Sequence, residues 1–275
     1  MSFRIAIIGA GNMGAALLGG LIADGFSTTD ICVTDPDEKK LSALKTQYHI
    51  NTEENNLAAI QQADVILFAV KPQVMGDVLK PLAKHIQTKN PLIISIAAGV
   101  RIHHIHHWLG DNIPIVRCMP NTPALIRAGA SALFANAFVT DDQRNIAESI
   151  LRAVGLTLWL PDEKLLDAVT ALSGSGPAYF FLVMDALQKA GRALGLTEET
   201  ARLLTLQTAL GAAKMALEQD LPVDELKRRV TSPGGTTEAA LHVLEHGKLT
   251  ELFHSALLAA EKRSNELASI AESDV

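Results

Sequence analysis

Six residues, Gly9-Ala10-Gly11-Asn12-Met13-Gly14, constrain the fold more than any other segment of the chain. They directly follow a short apolar run and lead into a helical pattern, so three glycines lie where a strand turns into a helix. In dinucleotide-binding folds the first glycine permits the tight turn, the second lets the backbone approach a pyrophosphate, and the third lets helix and strand pack closely. The segment therefore predicts a dinucleotide site, against the alternative of a glycine-rich turn that binds no ligand.

Short β-branched runs alternate with helical patterns up to Trp159. The predicted strands are residues 4–8, 30–33, 65–70, 92–96, 115–118 and 130–134, and helical spacing covers residues 15–23, 39–48, 74–84 and 102–109. Parallel strands need crossover connections, and these are right-handed, so the alternation indicates helices on both faces of one sheet. We expect an α/β fold with a doubly wound parallel sheet of the Rossmann type.

The stretch from Ile5 to Ala23 is nearly uncharged, and Arg4 precedes it as in a signal peptide. Glycines and Asn12 interrupt it, and a buried strand followed by a buried helix gives the same hydropathy. We therefore expect no membrane association.

Beyond Trp159 and Pro161 the chain consists of Ala- and Leu-rich segments with helical spacing, at residues 165–172, 178–194, 198–219, 223–230, 237–246 and 248–270. This change predicts a dinucleotide-binding domain at residues 1–162 and an all-helical domain at residues 163–275. Some of these helices, such as residues 179–184 and 203–210, are apolar on nearly every side and must be covered all round. Because so small a domain cannot cover them alone, we expect a second copy of the chain to do so.

Charge and cysteine usage exclude several classes of partner. The net charge is −6, and no cluster of Lys and Arg suggests binding to nucleic acid. Cys32 and Cys118 lie far apart without CxxC spacing, so neither zinc nor a disulfide framework is indicated, and a cytoplasmic location fits. His103 and His107 can share a helix face, but no third ligand lies nearby, so we predict a solvated face and no metal.

Further candidate cofactor residues follow the predicted strands. Asp35 lies where an acidic residue binds an adenosine ribose; it favours NAD(H), although Lys39 and Lys40 could screen a 2′-phosphate and leave NADP(H) open. Lys71 and Asn121 follow other strands, and ligands of open α/β sheets bind beyond the carboxyl ends of strands. A solvated lysine is the alternative for Lys71.

A second glycine-containing loop, Ser232-Pro233-Gly234-Gly235-Thr236-Thr237, precedes a predicted helix. Its backbone N–H groups can point in one direction and bind a small anion such as a carboxylate. A plain helix cap is the alternative, since Ser, Thr and Pro are ordinary at helix starts.

These motifs, taken in order, resemble the pyrroline-5-carboxylate reductase family. They are the glycine loop, Ala69-Val-Lys-Pro72, Ser95-Ile-Ala-Ala-Gly99, Arg117-Cys-Met-Pro-Asn-Thr-Pro123, Leu172-Ser-Gly-Ser-Gly-Pro-Ala-Tyr179 and Val230-Thr-Ser-Pro-Gly-Gly-Thr-Thr237. The resemblance implies reduction of 1-pyrroline-5-carboxylate to L-proline by NAD(P)H, the last step of proline biosynthesis. It also implies an all-α dimerisation domain that builds an interlocked homodimer, often assembled into a decamer of five dimers.

The resemblance also assigns roles to individual residues. Gly9, Gly11, Asn12, Met13 and Gly14 would hold the pyrophosphate, Asn56 the adenosine ribose, and Ala69, Lys71 and Pro72 the nicotinamide half. Ser232, Gly235, Thr236 and Thr237 would hold the substrate, with the Thr237 hydroxyl contacting the imine nitrogen in the catalytic step. Asp35 departs from the small hydroxyl residues common in members that favour NADPH, so the cofactor preference stays open.

Two other functions are alternatives. β-Hydroxyacid dehydrogenases share this domain order but place an Asn four residues after a catalytic Lys, whereas Glu218 follows Lys214 in this chain. A redox sensor or scaffold that binds dinucleotide without turnover would need no carboxylate site, so the loop at residues 232–237 argues against it.

Overall fold

A computed structural model describes the backbone of residues 3–273 and the side chains of residues 3–268. The strands are β1 (Ile5–Ile8), β2 (Ile31–Thr34), β3 (Asn51–Glu53), β4 (Val65–Phe68), β5 (Leu92–Ser95), β6 (Ile115–Met119), β7 (Gly129–Ala135) and β8 (Gly155–Trp159). The helices up to β8 are α1 (Asn12–Ala23), α2 (Glu38–Tyr48), α3 (Asn56–Ile60), α4 (Met75–Leu79), α5 (Ala83–Lys89), α6 (Ile102–Leu109) and α7 (Asp141–Arg152).

The strands form one sheet in the order β3-β2-β1-β4-β5-β6-β7-β8. Strands β1 to β6 are parallel, and the chain order reverses at β1, which pairs with β2 on one side and with β4 on the other. The doubly wound α/β prediction is therefore confirmed. The loop after β1 lies at this reversal point, where such sheets bind their ligands.

Strand β7 runs antiparallel to β6, which departs from the all-parallel sheet predicted from the sequence. A short 3₁₀ segment, Thr122–Ile126, connects them, and so short a link cannot make the crossover that parallel pairing requires. Strand β8 then pairs parallel to β7, after α7. The sequence predictions also omitted β3, α3, α7 and β8.

The sheet is buried on both faces. On one face Ile5, Ile7 and Leu17 belong to one apolar cluster, and on the other Ala6 and Ile8 belong to a second. Because neighbouring residues of a strand point to opposite faces, β1 contributes to both clusters, and its four residues are all buried. This explains why the segment from Ile5 onward is so uniformly apolar.

The helical half contains α8 (Leu165–Val169), α9 (Gly176–Ala193), α10 (Glu198–Glu218), α11 (Val223–Arg229), α12 (Thr236–His246) and α13 (Leu249–Ser273). Two predicted helices are interrupted. The segment at 165–172 changes into a π-helix at Thr170–Gly174, and the one at 74–84 is broken into α4, a 3₁₀ turn at Lys80–Leu82 and α5. Pro81, which lacks an N–H group, lies in that 3₁₀ turn and prevents a continuous helix.

By compactness the chain divides into two units. One contains the chain up to Ser175 together with the stretch from Ala259 onward, and the other is Gly176–Leu258. The sequence-based boundary after residue 162 stays a prediction about domains, since compactness alone defines these units. No helix in the described part of the chain combines the length and apolarity needed to cross a membrane.

The unit Gly176–Leu258 has almost no interior of its own. Within it only Gly176 and Ala201 are buried. Large apolar side chains are instead exposed in the single chain, among them Phe180 at 68% and Leu210 at 62%. So much uncovered apolar surface on an ordered helical unit indicates an interface with another chain.

Candidate functional site

The glycine loop makes close backbone contacts at its first and last positions. Gly9 has φ +109°, and a Cβ there would lie 2.7 Å from the carbonyl oxygen of Ala69. A Cβ on Gly14 would lie 2.1 Å from the carbonyl oxygen of Gly9. No side chain fits at either position, so the loop and α1 pack as closely as a dinucleotide fold requires.

Gly11 has open space beside it. A Cβ built there meets no atom within 4 Å, and the residue caps α1 with φ −69° and ψ 179° without a side-chain hydrogen bond. Helix α1 begins at Asn12, so the N–H groups of Asn12, Met13 and Gly14 belong to its first turn and have no acceptor within the helix. This open helix N-terminus fits the pyrophosphate of a dinucleotide.

The end of β2 is tied to the glycine loop and to α3. The Asp35 carboxylate accepts a hydrogen bond from the amide of Ala10 at 2.8 Å, and Lys40 Nζ lies 3.6 Å from its other oxygen. The Thr34 hydroxyl donates to Oδ1 of Asn56, the first residue of α3. Asp35 and Asn56 therefore both lie at the carboxyl edge of the sheet.

The segment after β4 lies beside the same loop. The Ala69 amide donates to the Ile8 carbonyl at 2.8 Å, which joins the ends of β4 and β1. Lys71 is exposed and precedes a 3₁₀ turn, Pro72–Val74, in which Pro72 occupies the first position. The three residues predicted to line the nicotinamide half, Ala69, Lys71 and Pro72, therefore follow β4 directly, next to the point where the strand order reverses.

Asn121 lies after β6, with its side-chain amide engaged by the protein. Its Nδ2 donates to the carbonyl and hydroxyl oxygens of Ser173 at 3.3 and 3.2 Å, and its Oδ1 accepts from the Ala130 amide at 2.9 Å. Ser173 belongs to the π-helix, a rare conformation that often occurs at functional sites. This π-helix was not predicted from the sequence, in which the Ser-Gly-Ser-Gly run at 173–176 is the signal nearest to it.

Paired polar groups, buried or half-buried and not predicted from the sequence, connect β6, α8 and α13. Arg117 on β6 pairs with Glu163 at 2.8 Å, and Asp167 on α8 accepts from the Ser264 hydroxyl at 2.7 Å and pairs with Arg101 at 3.4 Å. Buried charges are tolerated when they are paired in this way, so these pairs fix α8 and the end of α13 within their unit.

The second candidate loop precedes α12, which begins at Thr236 rather than at the predicted Thr237. Gly234 has φ +69°, and its amide donates to the Glu238 carboxylate at 2.7 Å. A Cβ on Gly235 would lie 2.6 Å from the hydroxyl oxygen and 3.0 Å from the carbonyl oxygen of Ser232, so any larger residue would have to displace the Ser232 side chain.

The start of α12 has no side-chain cap, which leaves its first-turn amides, those of Thr236 and Thr237 among them, available for an anion. Thr237 is half-buried, whereas Ser232 and Thr236 are exposed.

Comparisons with known proteins identify both halves of the chain. Residues 163–267 match the family model described as pyrroline-5-carboxylate reductase dimerisation, and residues 4–99 match NADP oxidoreductase coenzyme F420-dependent. The pyrroline-5-carboxylate reductase of Pseudomonas aeruginosa is 52% identical over 265 residues, which is 96% of this chain and 97% of that protein.

The chain belongs to the pyrroline-5-carboxylate reductase family.

Solved structures support this family assignment. A pyrroline-5-carboxylate reductase from Coxiella burnetii superposes with TM-score 0.94 at 50% identity and covers 98% of this chain and 99% of that one. A pyrroline carboxylate reductase from Plasmodium falciparum, solved with NADP bound, gives TM-score 0.86 at 31% identity and covers 97% and 98%. Prephenate dehydrogenase from A. aeolicus, at 14% identity and TM-score 0.54, shares the fold alone.

Membership in the pyrroline-5-carboxylate reductase family confirms the resemblance seen in the motifs. It also confirms the prediction that the chain is an oxidoreductase that uses a nicotinamide cofactor. It weighs against the β-hydroxyacid dehydrogenase alternative. Lys214, the candidate catalytic lysine of that reading, is exposed and lies 3.5 Å from Glu218 one helical turn away, as in an ordinary surface ion pair.

The histidine cluster of this reductase is only partly solvated. His103 and His107 are exposed, as predicted, but His104 is buried and accepts a hydrogen bond from the Arg101 amide at 3.1 Å. That bond belongs to a capping box at the start of α6. No group of three or more His, Cys, Asp or Glu in the described residues is arranged to hold a metal ion.

Both cysteines of this reductase lie in the sheet and are poor nucleophiles. Burial, together with the nearby Glu53 charge, raises the pKa of the Cys32 thiol to about 11. Burial raises the pKa of Cys118 to about 12, against smaller opposing effects of Ser131 and Arg117. The thiolate is the reactive form of cysteine, so neither side chain is suited to catalysis.

Proposed function

We propose that this chain reduces 1-pyrroline-5-carboxylate to L-proline by hydride transfer from NADPH or NADH. The observation that carries the proposal is the 52% identity to a pyrroline-5-carboxylate reductase over 96% of the chain. The two helix N-terminal loops support it, since one suits a pyrophosphate and the other suits a small carboxylate.

The glycine loop would bind the cofactor pyrophosphate through the first-turn amides of α1, which follow the open position at Gly11. Asn56 would contact the adenosine ribose, and Ala69, Lys71 and Pro72 would line the nicotinamide half. The reduced nicotinamide supplies the hydride. Because the cofactor provides this chemistry, the protein's main contribution is to hold two rings in a fixed alignment.

The loop at 232–237 would bind the substrate. First-turn amides of α12 would hold the substrate carboxylate, with Ser232, Gly235 and Thr236 shaping that site. The Thr237 hydroxyl would contact the imine nitrogen. A hydrogen bond there stabilises this nitrogen while its charge changes during hydride addition to the neighbouring carbon. An imine of this kind is basic enough for solvent to protonate, so the mechanism needs no Asp, Glu or His as an acid.

The helical unit would form a homodimer, and five dimers would form a decamer. The exposed apolar side chains of Gly176–Leu258 support the dimer, together with the match of residues 163–267 to a dimerisation family. The decamer rests on the family resemblance alone. A cytoplasmic location is part of the same proposal, in keeping with two cysteines held as free thiols.

A steady-state assay tests the function. Purified protein is mixed with 1-pyrroline-5-carboxylate and NADPH or NADH, and the loss of reduced-nicotinamide absorbance is followed while proline is measured by amino-acid analysis. We expect equimolar cofactor oxidation and proline formation. Oxidation with no proline, or turnover of a hydroxy acid with NAD in place of the imine, would contradict the proposal.

A further inference from the structure

The Asp35 carboxylate continues the hydrogen bonding between β1 and β2 beyond the ends of the two strands. The Gly9 amide donates to the Thr34 carbonyl at 2.8 Å. The next amide, that of Ala10, donates to Asp35 Oδ2, also at 2.8 Å. A side-chain oxygen of Asp35 thus takes the place of the next backbone carbonyl and holds the middle of the glycine loop.

The other carboxylate oxygen is also engaged. Asp35 Oδ1 accepts from the Asp37 amide at 2.9 Å, and the side chain is only 9% exposed. Hydrogen bonds to an ionised acceptor are stronger than neutral ones. Asp35 therefore joins the glycine loop firmly to the segment that leads into α2.

We propose that Asp35 is a positioning residue for the pyrophosphate site, acting by holding Ala10 so that the amides after Gly11 are aimed at the ligand. This role rests on one part of the proposed function, the assignment of residues 9–14 to the dinucleotide site. An acidic residue at this place is ordinarily read as an acceptor for ribose hydroxyls. In this chain both carboxylate oxygens accept backbone amides, and we attribute the main contribution of Asp35 to affinity to these bonds rather than to a ribose contact.

The test compares two ligands that differ only in the ribose hydroxyls. ADP and 2′,3′-dideoxy-ADP are titrated into the wild-type chain and the Asp35→Asn variant by calorimetry. Asparagine has the same shape as aspartate, but an NH₂ group replaces one of the two carboxylate oxygens. An NH₂ group cannot accept a hydrogen bond from a backbone amide, so one of the two bonds is lost. We expect the substitution to weaken both ligands by the same factor, about 10-fold for one lost charge-assisted bond. Weakening of ADP alone would assign Asp35 to the ribose and overturn the proposal.

Asp64, the residue before β4, provides a control at the other end of β1. Its carboxylate accepts from the Arg4 amide, also at 2.8 Å, at the opposite edge of the sheet. Asp64→Asn alters the same kind of bond and should leave the affinity for ADP unchanged. If it weakens ADP as much as Asp35→Asn does, the effect is a general loss of stability and the proposal fails.

Kinetics supply a second readout. Asp35→Asn should raise KM for NADPH and for NADH by a similar factor while kcat is retained; a fall in kcat at unchanged KM would contradict a positioning role in cofactor binding. Circular dichroism checks folding, and if Asp35→Asn is unfolded, Asp35→Glu, which displaces the carboxylate by one methylene, is measured in its place.

The wild-type titration separates the two proposals. If the wild-type chain binds no ADP, both the dinucleotide site and the role of Asp35 are wrong. If wild type and Asp35→Asn bind ADP equally, only the role of Asp35 is wrong.

Discussion

Two glycine-to-alanine substitutions in the glycine loop should separate an effect on ligand binding, at Gly11, from an effect on stability, at Gly14. At Gly11 an added Cβ meets nothing within 4 Å, and its φ of −69° suits alanine. Because Gly11 is the N-cap of α1, where glycine is favoured over alanine, Gly11→Ala should lower the free energy of unfolding by no more than about 1 kcal/mol. At Gly14 the same methyl would lie 2.1 Å from the Gly9 carbonyl oxygen, so Gly14→Ala should cost about 1–3 kcal/mol or more through overpacking.

The effect of Gly11→Ala on binding follows from the space that it fills. If the pyrophosphate approaches the backbone there, the methyl pushes it away from at least one amide of α1. Loss of one such charge-assisted bond costs about 1.5–3 kcal/mol, which is roughly a 10- to 150-fold loss of affinity for ADP.

Urea unfolding and calorimetric titration with ADP measure both quantities on the same samples. Gly11→Ala with near-wild-type stability but much weaker ADP binding is the expected result. Wild-type affinity in Gly11→Ala would refute the placement of the pyrophosphate, and equal destabilisation by the two variants would refute the packing argument.

Further outcomes are expected elsewhere in the chain. Thr237→Val should lower kcat/KM for 1-pyrroline-5-carboxylate roughly 10- to 150-fold in steady-state assays, with Thr237→Ser retaining most of it; an unchanged value for Val would remove the hydroxyl from the mechanism. Cys118, whose pKa burial raises to about 12, should resist a thiol reagent at neutral pH until the protein is unfolded, and prompt reaction of the folded protein would contradict this. Hydrogen bonds from Arg228 and Arg229 lower the pKa of Glu225 to about 2, so its stabilising contribution is present above the unfolded value of 4.5 and is lost as pH falls through 2; an NMR titration midpoint near 4.5 would show that the pairs do not persist. Sedimentation on dilution should find no stable folded monomer, and finding one would contradict the interface inferred for the helical unit.

Much of the fold could be predicted because strand and helix periodicity is strong in this sequence. The apolar run at β1, the glycines after it and the long Ala- and Leu-rich segments indicate a strand, a turn and helices, in that order. The missed strands were short or atypical: β3 has three polar residues, Asn51–Glu53, and β8 alternates half-buried with exposed positions. The direction of β7 depends on the length of its connection to β6, which periodicity does not report.

The candidate site was predictable where glycine spacing determines it and not where side chains pair across the fold. Gly9, Gly11 and Gly14 can be recognised from their spacing directly after a predicted strand. The contact of Asn121 with Ser173 joins residues far apart in sequence, as does the Asp167 to Ser264 bond, so no local pattern indicates either. Asp35 was recognisable as a site residue, but its bond to the Ala10 amide could be seen only in three dimensions.

Deuterium labelling of the cofactor shows whether this chain transfers hydride from the nicotinamide to the imine carbon of the substrate. The purified chain is incubated with 1-pyrroline-5-carboxylate and NADPH carrying deuterium at both C4 positions, and the product is analysed by mass spectrometry and NMR. We expect L-proline with one deuterium, located at C5. Unlabelled proline, or no proline while the cofactor is oxidised, would contradict this expectation.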